Sequence, residues 1–212
     1  MTSPNQHTSA FRRATDAVSA ADLEHMLLLP SDMPPEFTDF VVAREGVLDN
    51  ETMANNGFPG QTEDRIEEAG RVSGFLREVS REDVEQEETG LIVSAGMVAH
   101  LFRDSASVER WIDESFLGQF LGNAGSVLDS GNELMHAEEV PVAGFHGRAA
   151  AVFAVHDVPV GVVGSTIVDF ALGRLLGVAF VVALGSSEHL TATRELALRM
   201  ERRFVSVALG GE

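Results

Sequence analysis

The chain has 212 residues, 44% of them hydrophobic, enough to bury one full core or at most two small ones. Its 33 acidic residues face 15 basic ones, all arginine, and the resulting net charge of -18 repels nucleic-acid phosphates and anionic membrane surfaces. The absence of cysteine excludes disulfides, thiolate metal sites and a cysteine nucleophile.

The opening run MTSPNQHTSAFRRATDAVSA has no apolar core of the kind a secretory signal needs, and no later stretch approaches the ~20 uninterrupted apolar residues of a membrane span. No membrane insertion is expected. A chain that begins here stays in the cytoplasm by default, whereas a piece trimmed from an exported protein would be extracytoplasmic. Residues 1–17 are polar and aperiodic and read as a mobile arm before a single domain, 18–212. Ser19 caps a short helix with Leu23, Met26, Leu27 and Leu29 on one side, stopped by Pro30 and the Pro34-Pro35 pair. Phe37, Phe40, Val41 and Val42 make a brief extended segment, and Gly46 to Gly60 reads as an irregular loop.

Thr62, followed by two acids, starts a helix. Arg71 to Ser80 is ambiguous between helix and strand, and its glycines and the alternation of Phe75, Arg77 and Val79 favour a strand. The acidic run Arg81 to Glu88 reads as a solvated loop. Leu91 to Arg103 alternates, with Val93, Ala95, Met97, Ala99 and Leu101 on a core face and Gly96, Val98, His100 and Phe102 on a mixed one. Asp104 or Ser105 caps a helix whose Val108, Trp111, Ile112, Phe116 and Phe120 recur at three- and four-residue intervals.

Glu133 to Val142 reads as an edge strand and Gly147 to Asp157 as its alanine-rich neighbour. Val162 to Leu184 is the most hydrophobic stretch, two strands folded back at Leu172-Gly173-Arg174-Leu175, where glycine admits the positive φ of a tight turn. A last helix presents Ala192, Leu196, Met200, Phe204 and Val207 to the core, with Glu195 and Arg199 placed to pair outside. The fold class is α+β: a curved, mainly antiparallel sheet of five to seven strands with helices packed on it.

The runs LLLPSDMPPEF, GRVSGFLREV, VAHLFRDSASVERWI, FALGRLLGVAFVV and LALRMERRF, spanning about residues 20 to 208, resemble the α+β domains of unassigned activity in exported, often lipid-tethered, proteins of high-GC bacteria. This chain lacks the cysteine that would carry a lipid. The resemblance implies the fold and a non-enzymatic role, and brings no catalytic residues with it.

Two constellations are candidates for function. His136 and Glu138 share one face of a strand and His156 ends the next, so the three could hold a metal ion if the strands align; otherwise they are polar tips of an exposed edge. This metal site carries the alternative of a metal-dependent enzyme. The second candidate follows from Val178 to Leu184, apolar on both faces, of which the last helix covers only one. The other face is covered by more of the same chain, by an apolar small molecule in a cavity rimmed by Met97, His100, Phe102 and Trp111, or by a second copy in a homodimer. Ser165 lacks the strand-turn-helix setting of a nucleophile elbow, no phosphate-binding loop is present, and no cofactor is called for. The leading function is a non-catalytic binding or sensing domain.

Overall fold

The computed structural model describes residues 13–82, 88–128, 131–159 and 161–211. Within them runs one open antiparallel sheet of eight strands: β1 Phe40–Val47, β2 Arg71–Arg81, β3 Ile92–Phe102, β4 Ser126–Val127, β5 Glu133–Val140, β6 Ala149–Val158, β7 Gly161–Leu172 and β8 Leu175–Leu184. The spatial order is β1-β2-β3-β8-β7-β6-β5-β4, two meanders that meet where β3 pairs with β8. The apolar hairpin β7-β8 therefore occupies the centre of the sheet, and its turn closes with Leu172 opposite Leu175 and Gly173 at φ 59°.

The count of eight exceeds the expected five to seven because β4 is a two-residue strand, too short to carry an alternation. The 71–81 segment is a strand, as its alternation indicates. The Gly46 to Gly60 stretch is not wholly irregular: α1, Asn50–Asn55, starts where the Asp49 carboxylate accepts from Thr52 N at 2.7 Å. Helix α2, Glu63–Glu68, starts on Thr62 as expected, with its hydroxyl accepting from Arg65 N. Near the N-terminus the expected helix is only two single 3₁₀ turns, Ala20–Asp22 and Glu24–Met26, and beyond its expected end Pro30 and Pro35 each open a further turn, Pro30–Asp32 and Pro35–Phe37. Those turns still bury Leu23, Met26 and Leu27, but leave Leu29 exposed. Most of the acidic run and the first twelve residues of the expected arm lie outside the described residues. The arm's end is fastened: Thr15 is buried, and Arg174 in the central hairpin donates to its carbonyl and to that of Val18.

Side chains alternate between two layers. On one face the last helix, α5 (Leu190–Ala208), buries Leu196, Met200 and Phe204 against Val168, Phe170, Ala179 and Val181, together with the 3₁₀ turns. Each such aliphatic or aromatic burial contributes about 1.5–3 kcal/mol. The opposite face carries a smaller cluster of Phe102, Ala150, Val152, Ala154 and Leu176 under a helical segment. That segment begins as α3, Ser105–Arg110, capped by Asp104; it passes through a π-helical stretch, Trp111–Leu117, and ends as α4, Gly118–Gly122. Among the described residues no helix is long and apolar enough to cross a membrane.

Candidate functional site: a cleft on the open face of the sheet

The second helical layer covers only part of its face. Along β8, Ala179, Val181 and Ala183 point into the α5 core and are fully buried, whereas Val178, Phe180 and Val182 on the other side are half-buried. They form the floor of a cleft of about 550 Å³ with Leu76 from β2, Val98 from β3, and Ser165 and Ile167 from β7. One wall is Trp111, Ser115, Phe116 and Phe120, carried by the π-helical stretch and α4; the other is the end of β1 with α1 and the loop through Phe58. Phe58 meets Phe120 edge to face at 4.9 Å, joining the two walls. The extra residue in a π-turn rotates the side chains after it, and such stretches recur at functional sites.

Three ionisable residues are buried at this cleft or just behind it. Arg71, at the start of β2, is 1% exposed, and its guanidinium donates to Leu48 O and Asn50 Oδ1 at 2.6 Å each and to His100 Nδ1 at 3.0 Å. These bonds tie the β1–α1 wall to the sheet, and burial lowers the arginine to about 10 against a partial opposing pull from Asp49. His100 lines the cleft; burial, and secondarily the Arg71 charge, hold it well below the usual imidazole range. A guanidinium can only donate, so Nδ1 is an acceptor and the neutral ring carries its proton on Nε2.

The third is Asp169 on β7, 2% exposed and part of the cleft lining. Its strand-pair neighbours are Ala150 and Val178, and Ile167 and Ala171 flank it on the same side of β7. Among the described residues nothing hydrogen-bonds to its Oδ1. Burial alone pushes this carboxyl well above the usual carboxylate range.

The four residues expected to rim a cavity divide. His100 and Trp111 line the cleft. Phe102 lies beneath it, packed on Trp111 with ring centroids 5.4 Å apart. Met97 does not contribute, because the period-two alternation of β3 turns it to the α5 face, where it is fully buried. The expected metal trio is not assembled. A register shift between Leu134 and His136 sets His136 opposite Val155 and Glu138 opposite Phe153, on the α5 side, while His156 lies opposite Leu134 on the other. His136 Nε2 and Glu138 Oε1 are 3.8 Å apart and exposed, and no group of three metal-ligating side chains occurs among the described residues.

Sequence patterning missed Asp169 and Arg71. The one available signal for Asp169 was its place between Ile167 and Ala171 on an otherwise apolar strand.

No family model matches the chain, and no curated protein matches it. Among solved structures it is similar to the extracellular domain of PknH from Mycobacterium tuberculosis, with a TM-score of 0.59 over 89% of this chain and 97% of that one, at 9% identity. At that identity the likeness is one of fold and transfers no residue of the cleft. It accords, as to fold, with the resemblance to α+β domains of exported proteins from high-GC bacteria.

Proposed function

We propose that the protein is a non-catalytic binding or sensing domain whose cleft holds a largely apolar small molecule between the sheet and the helical layer. The observation that carries this reading is the asymmetry of β8: its α5 side is sealed, while Val178, Phe180 and Val182 open onto a space bounded by Trp111, Phe116 and Phe120. Its volume lies within the ~300–1,000 Å³ range of small-molecule sites, and an apolar lining with a few buried polar groups is their usual composition.

An acyl-transfer enzyme is the competing reading, since Ser165, His100 and Asp169 all line the cleft. Their wiring argues against it. The basic lone pair of the His100 ring is committed to Arg71, which leaves no nitrogen to accept a serine proton, and Asp169 Oδ1 orients nothing.

Native mass spectrometry of gently purified protein tests for a co-purified apolar molecule, and the same spectrum reads out whether the chain is a dimer. Titration with Nile red, a neutral apolar dye, gives the complementary measurement. Val178→Trp, which fills the cleft floor, is expected to abolish the dye signal while leaving the fold intact by circular dichroism; undiminished dye binding by a folded Val178→Trp protein rejects the cleft as the site.

A further inference from the structure

We infer that Asp169 selects the occupant of the cleft, and that this occupant is a neutral amphiphile: an aliphatic or aromatic body bearing a hydroxyl group that hydrogen-bonds the Asp169 carboxyl. The inference rests on the reading of the cleft as an apolar binding site and adds the chemistry of the ligand's polar end. A polar atom sealed from water without a partner costs free energy that an uninvolved position would have shed by becoming apolar. Asp169 Oδ1 is such an atom, and it belongs to a residue of the cleft lining, where a bound molecule can reach it and bulk water barely does.

The surroundings fix the kind of partner. Ala150, Val178, Ile167 and Ala171 around Asp169 offer no cation and no donor. A carboxylate or phosphate ligand would be desolvated with no cation among these neighbours to pair it, in a chain of net charge -18. An ammonium ligand would require two charges to be desolvated among aliphatic side chains, a cost that the attraction between them need not repay. A hydroxyl both donates and accepts, so it satisfies a neutral carboxyl whichever oxygen holds the proton. Burial favours that neutral form.

The chain's single tryptophan, Trp111, stands in the cleft wall and reports occupancy by its fluorescence. Wild type, Asp169→Ala and Asp169→Asn are titrated with octan-1-ol, octane, octylammonium and octanoate, none of which absorbs where tryptophan is excited. Octan-1-ol is expected to bind wild type about tenfold more tightly than octane, the worth of one buried hydrogen bond. That preference should vanish in Asp169→Ala and persist in Asp169→Asn, whose amide still donates and accepts. Should Asp169→Ala fail to fold, the wild-type ratio and the near-isosteric Asp169→Asn decide the matter. Equal binding of alcohol and hydrocarbon by wild type overturns the role of Asp169 and leaves the apolar cleft standing. Tightest binding of octylammonium, lost in Asp169→Asn, overturns the ligand class. No response to any probe overturns both this inference and the reading beneath it.

Discussion

The Arg71 guanidinium donates through Nε to Nδ1 of His100, so a buried cation is partnered by a neutral imidazole, the Leu48 carbonyl and the Asn50 side-chain oxygen, with no carboxylate bonded to it. The charge is held in place by hydrogen bonds from a loop, Leu48 to Asn50, that is also a wall of the cleft. Replacing Arg71 with methionine keeps much of the volume and strands three acceptors. A loss on the order of 3 kcal/mol is expected, read as a lower urea midpoint with unchanged slope. Arg71→Lys should recover only part of it, because a point-like ammonium cannot span acceptors that a planar fork reaches together. Full stability of Arg71→Met would mean that the loop is held by other contacts.

His100 should be neutral, with its proton on Nε2, across the ordinary pH range. Burial first and the neighbouring guanidinium second depress its folded pKa well below the ordinary imidazole value of 6.5. For a depressed base the native state binds fewer protons than the unfolded chain just below pH 6.5, so the stability linked to His100 is present above that pH and is lost as the pH falls below it. Nitrogen-15 NMR of the imidazole checks both points. A ring that titrates near 6.5, or one protonated on Nδ1, contradicts the bond to Arg71.

The large-scale design is legible in the sequence because periodicity speaks for it. Leu196, Met200 and Phe204 recur as a helix must, and the β7-β8 hairpin announces itself by unbroken apolar residues on either side of Gly173. Features with no period are not legible in this way. β4 is two residues long, and the 3₁₀ turns between Ala20 and Met26 keep the apolar spacing of a helix without being one. The site was half legible. His100 and Trp111 stand out as polar and aromatic residues on apolar elements, yet Arg71 looks like any charged strand end. Its burial depends on Leu48 and Asn50, more than twenty positions away. The metal trio failed for a related reason: a single register shift moves His136 to the other face, and no local pattern encodes it.

Two glycines in neighbouring strands face phenyl rings in the same way and should respond differently to substitution. Gly177 on β8 is opposite Phe170, and Gly96 on β3 is opposite Phe180; a Cβ at either glycine would run into the ring. Phe170 cannot give way, since it is fully buried between Phe145 and Phe204, with centroids at 5.4 and 5.3 Å. Phe180 borders the cleft and can swing into it. Gly177→Ala is therefore expected to cost about 1–3 kcal/mol, the price of overpacking, and Gly96→Ala under about 1. Gly96→Ala should instead shrink the cleft and weaken Nile red binding. Equal destabilisation by the two substitutions would show that Phe180 is as confined as Phe170.

Asp169 gives the clearest pH signature. Its carboxyl is driven well above the ordinary aspartate value of 3.8 by burial, so between that pH and its folded pKa the native state holds a proton that the unfolded chain has released. Folding stability linked to Asp169 is thus fully present below pH 3.8 and declines as the pH rises toward the folded pKa. Asp169→Asn removes the titration while keeping shape and polarity. The variant should melt higher than wild type at pH 7, by an amount on the order of 1–3 kcal/mol because the amide leaves polar atoms equally buried. For a chain of this size that is about 2–4 °C per kcal/mol, and the gap should close toward pH 4. His100 contributes with the opposite sign in both proteins, so the difference between them isolates Asp169. A gap that does not change with pH, or a variant less stable at pH 7, would mean that the carboxyl is ionised in the folded protein and has found a partner. Octan-1-ol should raise both melting points at pH 7 and leave the gap in place, since the amide hydrogen-bonds it as the carboxyl does.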